Sequence, residues 1–358
     1  MGNAAKEKMK AVIVSPYIKT LGGGERYALT VAQALLDRGW GVEITLNEND
    51  VLLKARERFN LKLAGIGTIS FGEIGGKYLK QKNYDLMFWV SDGSIPWLFS
   101  PKTVLHFQIP FHNVRGKSFF NSLKFKKIDK VVCNSLFTKK VIDQEYGINS
   151  DVWYPPIDVE EFTAGEKENT ILAVGRFEKS QTEKRQDVLI ETFKKMIDKG
   201  LKNWQLILAG GHTGGKENDE LLNELKKMAA GFPISFKINV SFSELKTLYS
   251  KAKIFWHAAG YGTDEEKYPE KMEHFGMTTV EAMASGCVPV VINKGGQKEI
   301  VQNNINGFLW ETVDDLMNLS AKLIKGDKLI NNISQEAVKK SRDFSKEKFY
   351  EKIYSFIS

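Results

Sequence analysis

Apolar runs of strand length recur along this chain with helical patterns between them, and that alternation restricts the fold more than any other feature. Lys10 to Val14, Val42 to Leu46, Leu86 to Val90, Val104 to Phe107 and Lys130 to Cys133 read as strands, with a helix from about Gly24 to Arg38. Strands alternating with helices imply a parallel sheet. The pattern stops at Tyr154-Pro155-Pro156-Ile157-Asp158 and the polar stretch Thr163 to Asn169. A Pro-Pro pair continues neither strand nor helix, so this stretch reads as a hinge. The alternation then restarts with Ile171 to Val174, a helix from about Arg185 to Lys199, Gln205 to Leu208, a helix near Asn218 to Met228, and Ile234 to Val240. Ile254 to Trp256, Val288 to Ile292 and Gly307 to Trp310 add strands, and helices fill the chain from Val313 onward. The expected fold class is α/β with two Rossmann-like domains, residues 1–158 and 159–358, the last helix being free to pack back on the first.

Bulk properties agree with this division. A chain of 358 residues has the length for two domains, since single cores stop growing near ~250 to 300 residues. No apolar run approaches the ~20 residues that cross a bilayer, so an integral membrane protein is excluded. The charged N-terminus shows no apolar stretch of a secretory signal, and the simplest location is the cytosol. Cys133 and Cys287 are the only cysteines; lying in different halves, they support neither a disulfide framework nor a zinc site, and they are expected to be buried thiols. Up to Asp158 there are 22 Lys plus Arg against 15 Asp plus Glu, and beyond it 29 against 29. All of the net positive charge therefore sits in the first half, which suits an anionic surface or substrate, or else a well-solvated lysine-rich face.

Three stretches carry candidate chemistry. Gly22-Gly23-Gly24-Glu25 lies between the first strand and the first helix. Glycines let the backbone approach a ligand, and the helix start offers free N–H groups to a phosphate; the competing reading is a tight strand-to-helix turn. The loop is neither the G-x-G-x-x-G fingerprint nor a Walker A loop, which argues against a dehydrogenase and a P-loop NTPase. Gly175-Arg176-Phe177, with Lys184 and Arg185 following, ends a strand at the carboxyl edge of the second sheet, where α/β folds hold ligands. Arg176 and Lys184 there suit a diphosphate and would oppose the charge of a departing nucleotide.

The third stretch runs Glu273-His274-Phe275-Gly276-Met277-Thr278-Thr279-Val280-Glu281, then into the strand Cys287 to Ile292 and Gly295-Gly296-Gln297-Lys298-Glu299. In one unbroken helix the two glutamates would stand about 12 Å apart along the axis and point about 80° away from each other. A loop must come first. With Gly276 permitting the bend and Thr278 or Thr279 starting the helix, Glu273 falls in the loop and Glu281 on the second turn, where a ligand could touch both.

This arrangement resembles the retaining glycosyltransferases of family GT4, mannosyltransferases among them, and the resemblance covers nearly the whole chain. It implies a GT-B fold in which an N-terminal acceptor domain and a C-terminal donor domain face a central cleft. It implies that Glu273 contacts the sugar, Glu281 the ribose, Arg176 and Lys184 the diphosphate, and that Phe275, Gly276, Met277 and Thr278 cradle sugar and phosphate. The glycine loop Gly22 to Gly24 would join the donor site, and His106, ending a first-domain strand, would face the reacting centre. The stretch Ala258 to Pro269 departs from the family by its length and is expected to be either a lid or a surface excursion, with Asp264-Glu265-Glu266 as a solvated run.

The expected function is transfer of a hexose from a nucleotide diphosphate sugar to an acceptor hydroxyl with retention of configuration, in lipid-linked or cell-envelope glycan synthesis. No cofactor and no metal are expected, because His112, His212, His257 and His274 lack metal-ligand spacing. A GDP-sugar is preferred over a UDP-sugar by the resemblance, and no nucleic acid is expected as a partner. With no first-half carboxylate to nominate as nucleophile, a same-face displacement assisted by the diphosphate is the simpler mechanism. Lys117, Phe119, Phe120, Lys124, Lys126 and Lys127 mix lysines with aromatics in a way that suits an anionic membrane surface, or an ordinary half-buried helix. A sugar-nucleotide epimerase and a binding protein without turnover are the rival functions.

Overall fold

The computed structural model describes residues 8–358 apart from 17, 19–21, 47–49 and 181, with the backbone alone at 50, 57 and 58. The charged N-terminal leader, read above as holding no secretory signal, lies outside the described residues up to position 7. The chain forms two compact units, Met1–Pro156 with Glu347–Ser358, and Ile157–Lys346.

The first unit is built on β1 (Lys10–Val14), β2 (Gly41–Thr45), β3 (Gly67–Ile69), β4 (Leu86–Val90), β5 (Lys102–Phe107), β6 (Lys130–Cys133) and β7 (Asp151–Val152). They form one parallel sheet in the order β3-β2-β1-β4-β5-β6-β7. Every residue of β4 is buried, which is what helices covering both faces of a parallel sheet require of a central strand. The last helix, Lys346–Ile357, joins this unit's core through Phe349 and Ile353, and Phe349 meets Tyr27 edge-on at 4.8 Å. The Lys102 ammonium donates to the carbonyls of Phe356 and Ile357 at 3.0 and 2.8 Å, a cation at the carbonyl end of a helix.

The second unit contains β8 (Glu168–Val174), β9 (Gln205–Gly210), β10 (Ile234–Ile238), β11 (Ala252–His257), β12 (Val288–Ile292) and β13 (Phe308–Trp310). They pair in parallel in the order β10-β9-β8-β11-β12-β13. Ile254, Trp256, Val288, Val290 and Phe308 fill its core between the sheet and the helices Gln186–Asp198 and Val313–Ile324. In both units the strand order reverses beside the first strand, between β1 and β4 and between β8 and β11. Such reversal points leave a crevice at the carboxyl ends of the strands, where open α/β sheets hold ligands.

The short strands β3 and β7, Gly67-Thr68-Ile69 and Asp151-Val152, were not legible in the sequence because neither is an apolar run, unlike the equally short Phe308-Leu309-Trp310 of β13.

Candidate functional site

At the reversal point of the second sheet, β8 ends in Val174 and the chain continues through Gly175-Arg176-Phe177. A Cβ on Gly175 would lie 2.7 Å from Cγ of Lys184, so the glycine lets the lysine stem cross the strand end. Arg185, in the left-handed region at φ 49°, precedes the helix Gln186–Asp198 and donates to the carbonyl of Tyr261 at 2.5 Å. Gln186 donates to the carbonyl of Arg176 at 3.0 Å. The loop between strand and helix is thereby held from both sides, and Lys184 is aimed across the crevice.

The Lys184 ammonium meets Oε2 of Glu273 at 2.8 Å, and Nε2 of His257, the last residue of β11, lies 3.1 Å from the same oxygen. The Lys184 and Glu273 side chains are about one-fifth exposed, at 20% and 19%, so the pair is neither free in water nor sealed in the core. Burial pushes the Glu273 carboxyl up, but the Lys184 charge and then the bond and charge of His257 outweigh it and hold the acid well below the usual carboxylate range. Glu273 is therefore an anion at neutral pH. A narrow pocket beside it is lined by Gly175, Phe177, Lys184, Gln186, Trp256 and His257. His257 lacks metal-ligand spacing in the sequence, and its position at the carboxyl end of a strand is the signal that it belongs to the site.

Glu273 is held by the glycines that follow β12. Gly296 donates its N–H to the Glu273 carbonyl at 2.8 Å, and a side chain on Gly295 would collide with that carbonyl oxygen. Gly276, at φ +116°, is the N-cap of the helix Met277–Ala284. The helix thus starts at Met277 and not at Thr278 or Thr279, a correction with a clear cause. The left-handed cap conformation favours glycine, and the Thr279 hydroxyl is engaged elsewhere, donating to Oε1 of Gln297 at 2.9 Å. Phe275 is buried against Phe344, and Met277 and Thr278 are half-buried at the helix start. Glu281, on the second turn and 5% exposed, accepts a hydrogen bond from the Tyr249 hydroxyl at 3.1 Å. Glu273 and Glu281 therefore bracket the N-terminus of one helix. Arg176 stands apart from this cluster, 3.3 Å from Glu178 and 47% exposed.

The reading of Asp264-Glu265-Glu266 as a solvated run is corrected at Glu265. Its carboxylate accepts the N–H of Gly295 at 2.7 Å and pairs with Lys298 at 2.5 Å, while Lys294 donates to the carbonyls of Gly260 and Thr263. The stretch is thus stitched to the glycine loop that supports Glu273. The repeated acidic residues looked alike in sequence, and only the partner loop separates Glu265 from its neighbours.

In the first unit Gly22 precedes the helix Gly23–Asp37, and its N–H donates to Oε2 of Glu25 at 2.5 Å. A Cβ on Gly24 would press on the Gln108 side chain at 3.1 Å. His106, at 0% exposure, stacks on Tyr27 with centroids 4.1 Å apart, and its Nε2 lies 2.8 Å from Oε1 of Gln108. Burial lowers its pKa to about 4, so the ring is neutral. The stretch from Lys117 to Lys127 contains the helix Phe119–Phe125, capped by Ser118, with no side chain fully buried. Phe119, Phe120, Lys117, Lys126 and Lys127 are exposed, whereas Lys124 donates to the Ile95 carbonyl at 2.7 Å. Among the described residues no group of His, Cys, Asp and Glu is arranged to hold a metal ion, and no helix is long and apolar enough to cross a membrane.

Comparison with known proteins matches both units. The family model described as glycosyl transferases group 1 matches residues 156–340, and that described as glycosyltransferase family 4 matches residues 21–161. A GDP-Man:Man(3)GlcNAc(2)-PP-Dol alpha-1,2-mannosyltransferase of Xenopus laevis is 31% identical over 204 residues, covering 52% of this chain and 39% of that protein. The human alpha-1,3/1,6-mannosyltransferase ALG2 is 26% identical over 254 residues, covering 64% of this chain and 58% of that protein. The chain spans about half the length of the curated relatives it matches. A solved glycosyltransferase from Rickettsia africae superposes with a TM-score of 0.76 at 20% identity, over 99% of this chain and 100% of that one, so the fold is GT-B. With the group 1 model spanning more than half of its length, the chain belongs to the glycosyl transferases group 1 family.

Proposed function

We infer that this chain is a retaining glycosyltransferase that moves a hexose from a nucleotide diphosphate sugar to an acceptor hydroxyl. The observation that carries the reading is the Lys184–Glu273–His257 cluster at the carboxyl ends of β8 and β11, beside the glycine-capped helix that bears Glu281. A diphosphate in the crevice would compete with Glu273 for the Lys184 ammonium and gain the N–H groups of Met277 and Thr278 at the helix start. Glu273 would then accept sugar hydroxyls, and Glu281 the ribose hydroxyls. The glycosidic C1–O bond breaks toward the diphosphate, the acceptor oxygen bonds to C1 on the same face, and the acceptor proton passes to a diphosphate oxygen. Lys184, with Arg176 swinging from Glu178, would stabilise the leaving charge. His106 is buried, so it is proposed to support Gln108 and not to transfer a proton; Gly22 to Gly24 would admit the ligand through their lack of side chains.

GDP-mannose as the donor and a lipid-linked glycan as the acceptor are supported by the relatives, whose names specify both. A thermal-shift panel of UDP, GDP, ADP and their sugars tests the reading, because a ligand at ~100 times its dissociation constant adds about 2.7 kcal/mol. GDP-mannose should give the largest shift, unaltered by EDTA. No shift with any nucleotide would overturn the donor site, and an epimerised donor formed without acceptor would favour the epimerase instead.

A further inference from the structure

The first unit leaves a connected row of aromatic side chains on its surface. Tyr78 meets Phe99 edge-on at 4.8 Å, Phe99 stacks against Trp97 at 6.5 Å, and the Lys124 ammonium lies 5.9 Å from the Trp97 ring centre. Lys124 belongs to the helix Phe119–Phe125, so the row joins the short helix Tyr78–Gln81 to the one that bears Phe119 and Phe120. The framework beneath is fixed: Gln81 accepts the Phe99 N–H at 3.0 Å and donates to the Trp97 carbonyl. Glu145 accepts the N–H groups of Asn113, Val114 and Gly116 in the loop before the second helix.

Exposure along this row is unusual for water-facing protein. Leu79 is 77% exposed, Phe119 73% and Phe120 68%. The helix is held to the unit by Phe125, which meets Tyr146 edge-on at 5.9 Å, and by Lys124 on the Ile95 carbonyl, while the two adjacent phenylalanines at its start are left facing outward. Positive charge predominates around the row, the Glu145 carboxylate being taken up by the backbone N–H groups of the 113–116 loop. In residues 71–84, 91–101 and 112–127 eight Lys plus Arg face two carboxylates, Glu73 and Asp92. Both of those accept hydrogen bonds from a neighbouring serine, Ser70 and Ser94.

We propose that this face docks on an anionic lipid bilayer, with Phe119, Phe120, Leu79 and Trp97 entering the headgroup boundary and Lys117, Lys126 and Lys127 meeting lipid phosphates. Apolar side chains rimmed by lysines are the composition that partitions into such an interface, and the charge complementarity selects an anionic lipid over a neutral protein surface. The inference extends the enzymatic reading to a surface that takes no part in donor binding.

The tryptophans supply a direct test. Of the seven, six are less than one-tenth exposed, and only Trp97, at 37%, can reach lipid. The full chain is mixed with vesicles of phosphatidylcholine, with or without phosphatidylglycerol, at low and high salt. Binding is expected only with phosphatidylglycerol and should fade at high salt. Brominated acyl chains should quench part of the fluorescence, and Trp97→Phe should abolish that part. Phe119→Ser with Phe120→Ser should weaken partitioning by about tenfold for each ring removed. Changing Lys117, Lys126 and Lys127 to Gln should weaken it by roughly a hundredfold at low salt. The nucleotide-induced thermal shift should be unchanged in every variant, which separates failure here from failure of the donor site. Absence of binding to anionic vesicles at low salt, or quenching that survives Trp97→Phe, would overturn the proposal and leave a protein partner as the occupant.

Discussion

The two units share one strand connectivity and differ in what the strand ends carry. At the reversal point of the second sheet an ion pair lies half-buried, and the Lys184 ammonium and the His257 ring converge on one oxygen of Glu273. In the first unit His106, next to the last residue of β5, is a neutral ring stacked on Tyr27, and Gln108 lies over Gly24. The surfaces differ in the opposite sense. Of the exposed large hydrophobic side chains among the described residues, ten lie in the first unit and two, Tyr268 and Ile305, in the second. A shared backbone thus supports a charged internal site in one unit and an apolar, basic exterior in the other, and function follows the side chains placed on the fold, not the fold.

The strongest way to break this contrast is Lys184→Ala. If the second unit carries the leaving-group chemistry, kcat should fall by about a hundred- to a thousandfold, as on removal of a charge-stabilising donor. Steady-state kinetics that show only a raised KM would mean that Lys184 holds the ground state and nothing more.

Acid should separate the units next. The pKa of His106 is lowered in the folded state, so the unfolded chain binds more protons between pH 6.5 and about 4, and stability falls as pH drops through that window. The loss from this group is roughly 3 kcal/mol at full extent. Glu273 is also depressed, so its contribution is present above the ordinary carboxylate pKa and is lost only below it, as pH falls toward the folded value. Chemical denaturation across the range, native against His106→Phe, should show the variant flatter from pH 6.5 to 4. Parallel curves would remove His106 as the first unit's acid-sensitive group.

A smaller effect sharpens the comparison. Glu281→Ala should weaken nucleotide binding by about 1.5 to 3 kcal/mol, the value of a hydrogen bond to a charged group, while His106→Phe leaves it unchanged. Calorimetric titration with the nucleotide reads both variants. Equal losses in the two would mean that the donor contacts are not confined to the second unit.

The Glu273 and Glu281 pair was legible because its spacing, interrupted by Gly276, permits only a loop followed by a helix. Gly175 and Lys184 were legible as a strand end followed by cations. Less could be read of their partners. His257 lies 16 residues before Glu273 and Tyr249 lies 32 before Glu281, and no local pattern links such positions. The same holds for Glu265, which reaches Gly295 across 30 residues and looked like one acid among three.

By itself the sequence determined the alternation of strands and helices, the break at Pro155-Pro156 and the residues able to bracket a helix start, since each follows from backbone periodicity or from the conformational limits of glycine and proline. Tertiary structure alone decided which charges meet, that His106 is sealed against Tyr27, and that Tyr78, Phe99 and Trp97 form one row with the helix of Phe119. Those outcomes depend on distances between segments far apart in the chain. Burial and electrostatic pairing are set by such distances, and a local pattern of residues does not encode them.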